Sequence, residues 1–216
     1  MGLTLTEPEL DLGKDIAGNV TFRIAQGVAC AFTRRAPDKE SDNEDALGLI
    51  PCGGNAAVLV VADGLGGLPS GKQASSIAVR EVSRNIVANC SEQAAFREAI
   101  LDGIEQANQL VMATGSGGGT TIAVVEIENR TIRPYHVGDS EILVTGQRGK
   151  IKYQSISHSP MGYAVEAGLR TARLLAAARF AVREYGRSDG VAAGPFTVLQ
   201  PASEQEAVSF RLGIRF

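Results

Sequence analysis

The stretch Ala56–Asp63, AAVLVVAD, restricts the possible folds of this chain more than any other. An unbroken apolar run rich in valine reads as a strand buried on both faces. Such a strand belongs inside a layered domain, with other elements covering it. It stops on a carboxylate, and glycine takes three of the next four positions in DGLGG. Glycines at a strand end let the main chain approach an ion or a phosphate closely. A buried strand that ends this way is a candidate site as well as a core element.

The segments around it set the fold class. GVACAF reads as a strand, TRRAPDKESDNEDA as a polar loop, ALGLI as renewed apolar structure and PCGGN as a turn. Ala74, Ile77, Ala78, Val82 and Ile86 recur at helical spacing between Ser70 and about Asn89. A second helix is predicted from about Ser91, its N-cap, to Ala113, with Ala95, Ile100, Ile104, Leu110 and Val111 towards the core. GSGGG breaks the chain. TTIAVVEIEN, TIRPYHVGD, EILVTG and KIKYQSI then form a strand meander. Strands on both sides of a helical pair point to an α+β layered domain rather than a wound parallel sheet. The first 25 residues are weakly patterned and are expected at the periphery.

Composition narrows the function classes. The chain has 216 residues, 44% of them hydrophobic and 21% charged, enough for a real core in one domain. A net charge of -3 gives no basic footprint for nucleic acid or an anionic membrane. No apolar run is long enough to span a bilayer, and the acidic N-terminus does not resemble a secretory leader. Cys30, Cys52 and Cys90 are odd in number and widely spaced, which suggests reduced thiols and a cytoplasmic location.

Two acidic turns carry the chemistry. One is Asp63 with its glycines; the other is SDNEDA, with Asp42, Glu44 and Asp45 beside a strand start. Carboxylates with a neighbouring carbonyl are the hard oxygen donors that Mg2+ or Mn2+ prefers. Two such turns could hold a pair of divalent ions, lower the pKa of a water and grip phosphoryl oxygens. Arg34 and Arg35 could bind the phosphate. Singly, each turn is more often only a solvated loop. GGLPSGKQ, from Gly66 to Gln73, nearly matches a Walker A loop, but Gln73 replaces the magnesium-binding hydroxyl and repeated βα units are absent. His136 and His158 lack partner His or Cys patterns and read as structural.

SDNEDAL, VVADGLGG, GGGTTIAVV and YHVGDSEILV, in this order, resemble the bacterial members of the PP2C (PPM-type) metal-dependent protein serine/threonine phosphatases. SHSPMGYAVEAG is similar to the segment that follows in bacterial members, and the likeness runs from about Gly27 to Leu169. The resemblance implies a four-layer sandwich of two antiparallel β-sheets flanked by helices. It implies two Mn2+ or Mg2+ ions at the strand ends, bridged by Asp63 and ligated by the Gly64 carbonyl and Glu44. Asp45 would hold metal waters, Arg35 or Arg34 would face the phosphate, and Asp139 of the Gly-Asp-Ser turn would serve a third, weaker ion. The implied reaction is hydrolysis of phosphoserine or phosphothreonine by metal-activated water. The implied partners are phosphorylated proteins, substrates of a Ser/Thr kinase, with no nucleic acid and no membrane.

Three departures qualify the resemblance. Leu65 stands where many eukaryotic members have a proton-donating His, and APDKES lengthens the arginine-to-acid spacing. The later family motifs, a strand ending in a second Asp-Gly and a Gly-Asp-Asn loop, have no clear counterpart; Asp189-Gly190 lacks a preceding apolar strand. The expected organisation is a peripheral segment 1–25, a partial phosphatase domain 26–169 and an atypical tail 170–216. The fold is thus expected to be incomplete at its C-terminal end. The tail holds Arg and Ala but no Lys, as a frame change in a GC-rich gene would produce, and is expected to leave sheet edges bare. A helix over residues 171–186 is compatible with its pattern. A catalytically crippled phosphatase that binds phosphoprotein or metal without turnover is the alternative reading.

Overall fold

The computed structural model describes residues 3–16, 18, 20–35, 41–65, 69–89, 96–158, 191–193, 196–198 and 213–215. The chain divides into a unit formed by residues 1–155 with 210–216, and a second formed by residues 156–209. In the second unit, β11 (Val191–Ala193) and β12 (Phe196–Val198) pair antiparallel.

The first unit is built on a five-stranded antiparallel sheet in the order β2-β5-β6-β7-β8: β2 (Glu9–Leu12), β5 (Asp45–Pro51), β6 (Ala56–Asp63), β7 (Ile122–Glu128) and β8 (Thr131–Val137). A second sheet has the order β1-β3-β4-β13: β1 (Leu3–Thr4), β3 (Val20–Ile24), β4 (Gly27–Ala31) and β13 (Gly213–Arg215). Strands β9 (Leu143–Thr145) and β10 (Ile151–Gln154) form a separate hairpin rather than extending the meander's sheet. Helices α1 (Pro69–Asn89) and α2 (Phe96–Ala113) complete the unit.

Strand β6 is buried on both faces because each face has its own cover. Ala56, Val58, Val60 and Ala62 join Ile50 and Val124 in a core with Val79, Val82 and Ile86 of α1 and Phe96 and Ile100 of α2. Ala57 and Leu59, with Leu47, Leu49 and Ile127, pack on Phe22, Ile24, Ala29 and Ala31 of the second sheet. The period-two alternation thus feeds two cores at once, which explains why the sequence shows no polar positions here. The described residues form three layers: helices, five-stranded sheet, second sheet.

Several expectations change. The first 25 residues supply strands: β2 at the edge of the five-stranded sheet, and β1 and β3 in the second. Their strands are short, and the acidic-apolar alternation of β2 covers only four residues, too few to stand out. The second sheet is mixed, because β1 runs parallel to β3. The tail supplies β13, antiparallel to β4, on an edge expected to be bare. On α2, Leu110 is 43% exposed, while Gly103 and Ala107 face inward. A Cβ on Gly103 would lie 2.8 Å from the Val82 Cα, so the helices meet there backbone against backbone. The predicted N-cap Ser91 and the helix over 171–186 lie outside the described residues.

Two local features have measurable consequences. Glu126 is 1% exposed on the helix-facing side of β7, where its carboxylate accepts hydrogen bonds from Arg133 and, at 2.7 Å, from the Tyr135 hydroxyl. A buried carboxylate is tolerated only when paired and hydrogen-bonded in this way. Burial first, then the bond and charge of Glu126, push the Tyr135 phenol up to about 12. The unfolded phenol loses its proton near pH 10. Folding stability from this group is therefore complete below about pH 10 and falls as pH rises through about 12. Ultraviolet titration of the wild type minus Tyr135→Phe should show one phenol ionising near pH 12; a difference step near pH 10 contradicts the arrangement.

The other is the junction of β6 with α1. A Cβ on Gly64 would overlap the carbonyl of Gly71 and lie 2.7 Å from the Glu44 carbonyl oxygen. Gly64 is thus required by the main chain of the first helical turn. Gly64→Ala should cost about 2 kcal/mol or more, the scale of overpacking a site that cannot relax. Gly54→Ala, which meets nothing within 4 Å, is the control. Equal urea midpoints for the two variants would contradict the packing.

Candidate metal and phosphate site

Antiparallel register places Asp45, the first residue of β5, directly opposite Asp63, the last of β6. Opposed residues share a sheet face, so both carboxylates lie on the face towards the second sheet. Asp45 is 4% exposed, Glu44 is 8% exposed, and Asp63 is half-buried. The strand ends are clasped beyond the last rung. The Gly64 N–H donates to the Glu44 carbonyl at 3.2 Å, and the Ser75 hydroxyl of α1 donates to the same oxygen at 2.6 Å.

Asn43 fixes the other acidic turn. It is 3% exposed, and its Oδ1 accepts the Asp45 N–H at 3.2 Å. Its Nδ2 donates to Thr33 Oγ1 at 2.9 Å and to the Lys14 carbonyl at 3.1 Å. This is an Asx turn held down on both sides.

The glycine-threonine run closes the site from β7. Gly64 bridges Thr120, and the Leu65 N–H reaches the Gly119 carbonyl at 2.9 Å. The Asp63 carbonyl accepts the Thr121 N–H at 2.9 Å and faces the Thr120 hydroxyl at the same distance, while its N–H donates to Thr121 Oγ1 at 3.1 Å. Thr121 Oγ1 in turn lies 2.5 Å from Ser140 Oγ. The Gly-Asp-Ser turn therefore sits next to Asp63, with Asp139 exposed at its tip.

The basic residues are exposed or paired with other acids. Arg34 is exposed. Arg35 is also exposed; its N–H donates to Asp15 Oδ1 at 2.8 Å, and its Nε lies 3.6 Å from Asp15 Oδ2. Lys72, the lysine of the Walker-like stretch, bonds Asp42 at 2.8 Å from the first turn of α1. That bond and charge, with a lesser contribution from Arg35, hold the Asp42 carboxyl below its ordinary value. Lys72 is thus committed to an acidic loop instead of a phosphate cradle. Sequence reasoning passed over Asn43, Ser75, Thr121 and Ser140, which orient the acids. Only the Asn of SDNED and the threonines of GGGTT hinted at them, as polar residues beside acidic or glycine-rich turns.

The donor set fits a hard divalent cation in part. Asp63, with the carbonyl of Gly64 and the neighbouring Glu44 and Asp45, offers hard oxygen donors at a strand end. Among the described residues, no group of three or more Asp, Glu, His or Cys side chains is arranged to hold an ion. A cleft of about 620 Å³ lies elsewhere, towards the other end of β7, lined by residues that include Phe96, Arg97, Glu126 and Arg133. Cys30 and Cys52 are thiols, and Cys90 lies outside the described residues. Among the described residues no helix is long and apolar enough to cross a membrane.

Known proteins resemble this chain in sequence and in fold. A protein of Streptococcus pyogenes serotype M6 assigned to the protein phosphatase 2C type is 27% identical over 136 residues, which is 60% of this chain and 55% of that protein. The chain thus spans about half the length of this relative. The solved structure of the S. agalactiae serine/threonine phosphatase superposes with a TM-score of 0.59 and 24% identity, covering 88% of this chain and 74% of that one, which shows a shared fold. The Mycobacterium tuberculosis serine/threonine phosphatase PstP/Ppp aligns with a TM-score of 0.45 and 19% identity, over 66% of this chain and 58% of that one. The family model described as Protein phosphatase 2C matches residues 34–179, more than half of the chain and all of the acidic, glycine-threonine and Gly-Asp-Ser elements of the site. The chain belongs to the protein phosphatase 2C family.

Proposed function

We propose that this chain is a metal-dependent protein phosphatase acting on phosphoserine or phosphothreonine. The observation that carries the reading is the register pairing of Asp45 with Asp63, clasped at the strand end by Gly64 and Glu44. Asp63, the Gly64 carbonyl and Glu44 would hold two Mn2+ or Mg2+ ions, and Asp139 would hold a third, weaker one. When bound, such ions supply an acidified water and neutralise phosphoryl oxygens. Asp45 would accept hydrogen bonds from water in the site. Arg35, or Arg34, would orient the phosphoryl group through paired N–H donors. Its substrates would be phosphoproteins in the cytoplasm, made by a Ser/Thr kinase. Direct attack by water leaves no phosphoenzyme.

A second reading is favoured by one observation: the described residues contain no complete cluster of metal-binding side chains. A crippled phosphatase would bind Mn2+ or a phosphopeptide and release no phosphate. Hydrolysis of an aryl phosphate and of a phosphothreonine peptide, with and without Mn2+, separates the two. The first reading expects Mn2+-dependent release of phosphate that falls to background in Asp63→Asn, with the circular dichroism spectrum unchanged. Undiminished turnover in Asp63→Asn, or in excess chelator, contradicts it. Binding of Mn2+ without any turnover supports the second reading.

A further inference from the structure

We propose that Thr121 is a positioning residue that locks Asp63 and the Gly-Asp-Ser turn into one unit, so that cation binding at the two places is coupled through one hydroxyl. The inference rests on the metal-dependent reading above.

Thr121 precedes β7 and is 6% exposed. Its hydroxyl oxygen accepts the Asp63 N–H at 3.1 Å, and its own N–H donates to the Asp63 carbonyl at 2.9 Å. The Thr120 hydroxyl lies 2.9 Å from the same carbonyl. Both peptide groups flanking the Asp63 Cα are therefore pinned, which fixes the direction in which its carboxylate leaves the strand. The outer side of Thr121 holds the turn. Its hydroxyl is 2.5 Å from Ser140 Oγ, and a Cβ on Gly138 would lie only 2.7 Å from the Thr121 Cγ2 methyl. Gly138 also has a φ of +98°, which an L side chain rarely adopts. The turn bearing Asp139 thus docks on Thr121 twice, by a hydrogen bond and by a methyl seated on a glycine.

The two contacts need different halves of one side chain. Serine would keep the hydroxyl and lose the methyl. Valine would keep the shape and lose the hydroxyl, leaving the Asp63 N–H and the Ser140 hydroxyl without this partner. Groups that orient metal ligands in this way typically change affinity by about 10- to 100-fold when removed.

The test is Mn2+ titration calorimetry of the full chain as wild type, Asp63→Asn, Thr121→Val, Thr121→Ser and Ser140→Ala, with metal-free thermal unfolding of each. Thr121→Val should bind Mn2+ about 10- to 100-fold more weakly while still unfolding cooperatively. Thr121→Ser should bind nearly as the wild type does, and Ser140→Ala should weaken only the weaker class of site. A purely structural role would shift unfolding temperature and leave Mn2+ affinity unmoved. A folded Thr121→Val with wild-type affinity, beside an Asp63→Asn that loses binding, overturns this inference and leaves the metal reading standing. Equal losses in Thr121→Ser and Thr121→Val also overturn it. If Thr121→Val does not fold, Ser140→Ala decides, and wild-type binding of every site class there overturns the coupling. A wild type that binds no Mn2+ overturns the metal reading and this inference with it.

Discussion

The pairing of β5 with β6 is the constraint on which the rest of the site depends. Seven rungs, from Pro51 opposite Ala57 to Asp45 opposite Asp63, set the register. A one-residue slip would turn the alternating sets of side chains to the wrong faces. It would drive Leu47, Leu49 and Leu59 out of one core and Ile50, Val58 and Val60 out of the other. Two apolar cores therefore hold two carboxylates opposite each other. The energy that places the acids comes from hydrocarbon burial far along the strands, not from the acids themselves, whose proximity opposes folding.

Polar contacts refine what the cores set. Asn43, Ser75, Thr120 and Thr121 bond main-chain groups of residues 44, 45 and 63. These bonds fix the backbone from which the three acidic side chains leave. In the Glu126–Arg133–Tyr135 group the buried carboxylate itself is bonded by its neighbours. Its placement near the other end of β7 separates a structural acid from the candidate functional ones.

Much of this was legible in the sequence. The run AAVLVVAD could only be a central strand, and the helical stripe from Ala74 to Ile86 gave α1. The family motifs read from the residues lie within the span that the family comparison matches. What was not legible depended on long-range partners. β1 and β2 are too short and too polar to announce themselves, and they exist because β3 and β5 offer edges. Leu110 fits a helical stripe yet is 43% exposed, because burial depends on how far the partner elements extend along the helix and not on the stripe alone. The glycine after Asp63 read as room for an ion; in the structure its missing side chain is filled by the backbone of Gly71 and Glu44. Arg35 read as a phosphate ligand and stands paired with Asp15, a residue 20 positions earlier that no motif connects to it.

The central claim is that the end of the β5–β6 pair is a divalent cation site. Anomalous diffraction from crystals soaked in Mn2+ tests it without reliance on turnover. The account predicts an anomalous peak about 2 Å from a carboxylate oxygen of Asp63, adjacent to the Gly64 carbonyl. Saturating Mn2+ that leaves Asp63 without a peak, or that appears only on exposed acids such as Asp102, would contradict it.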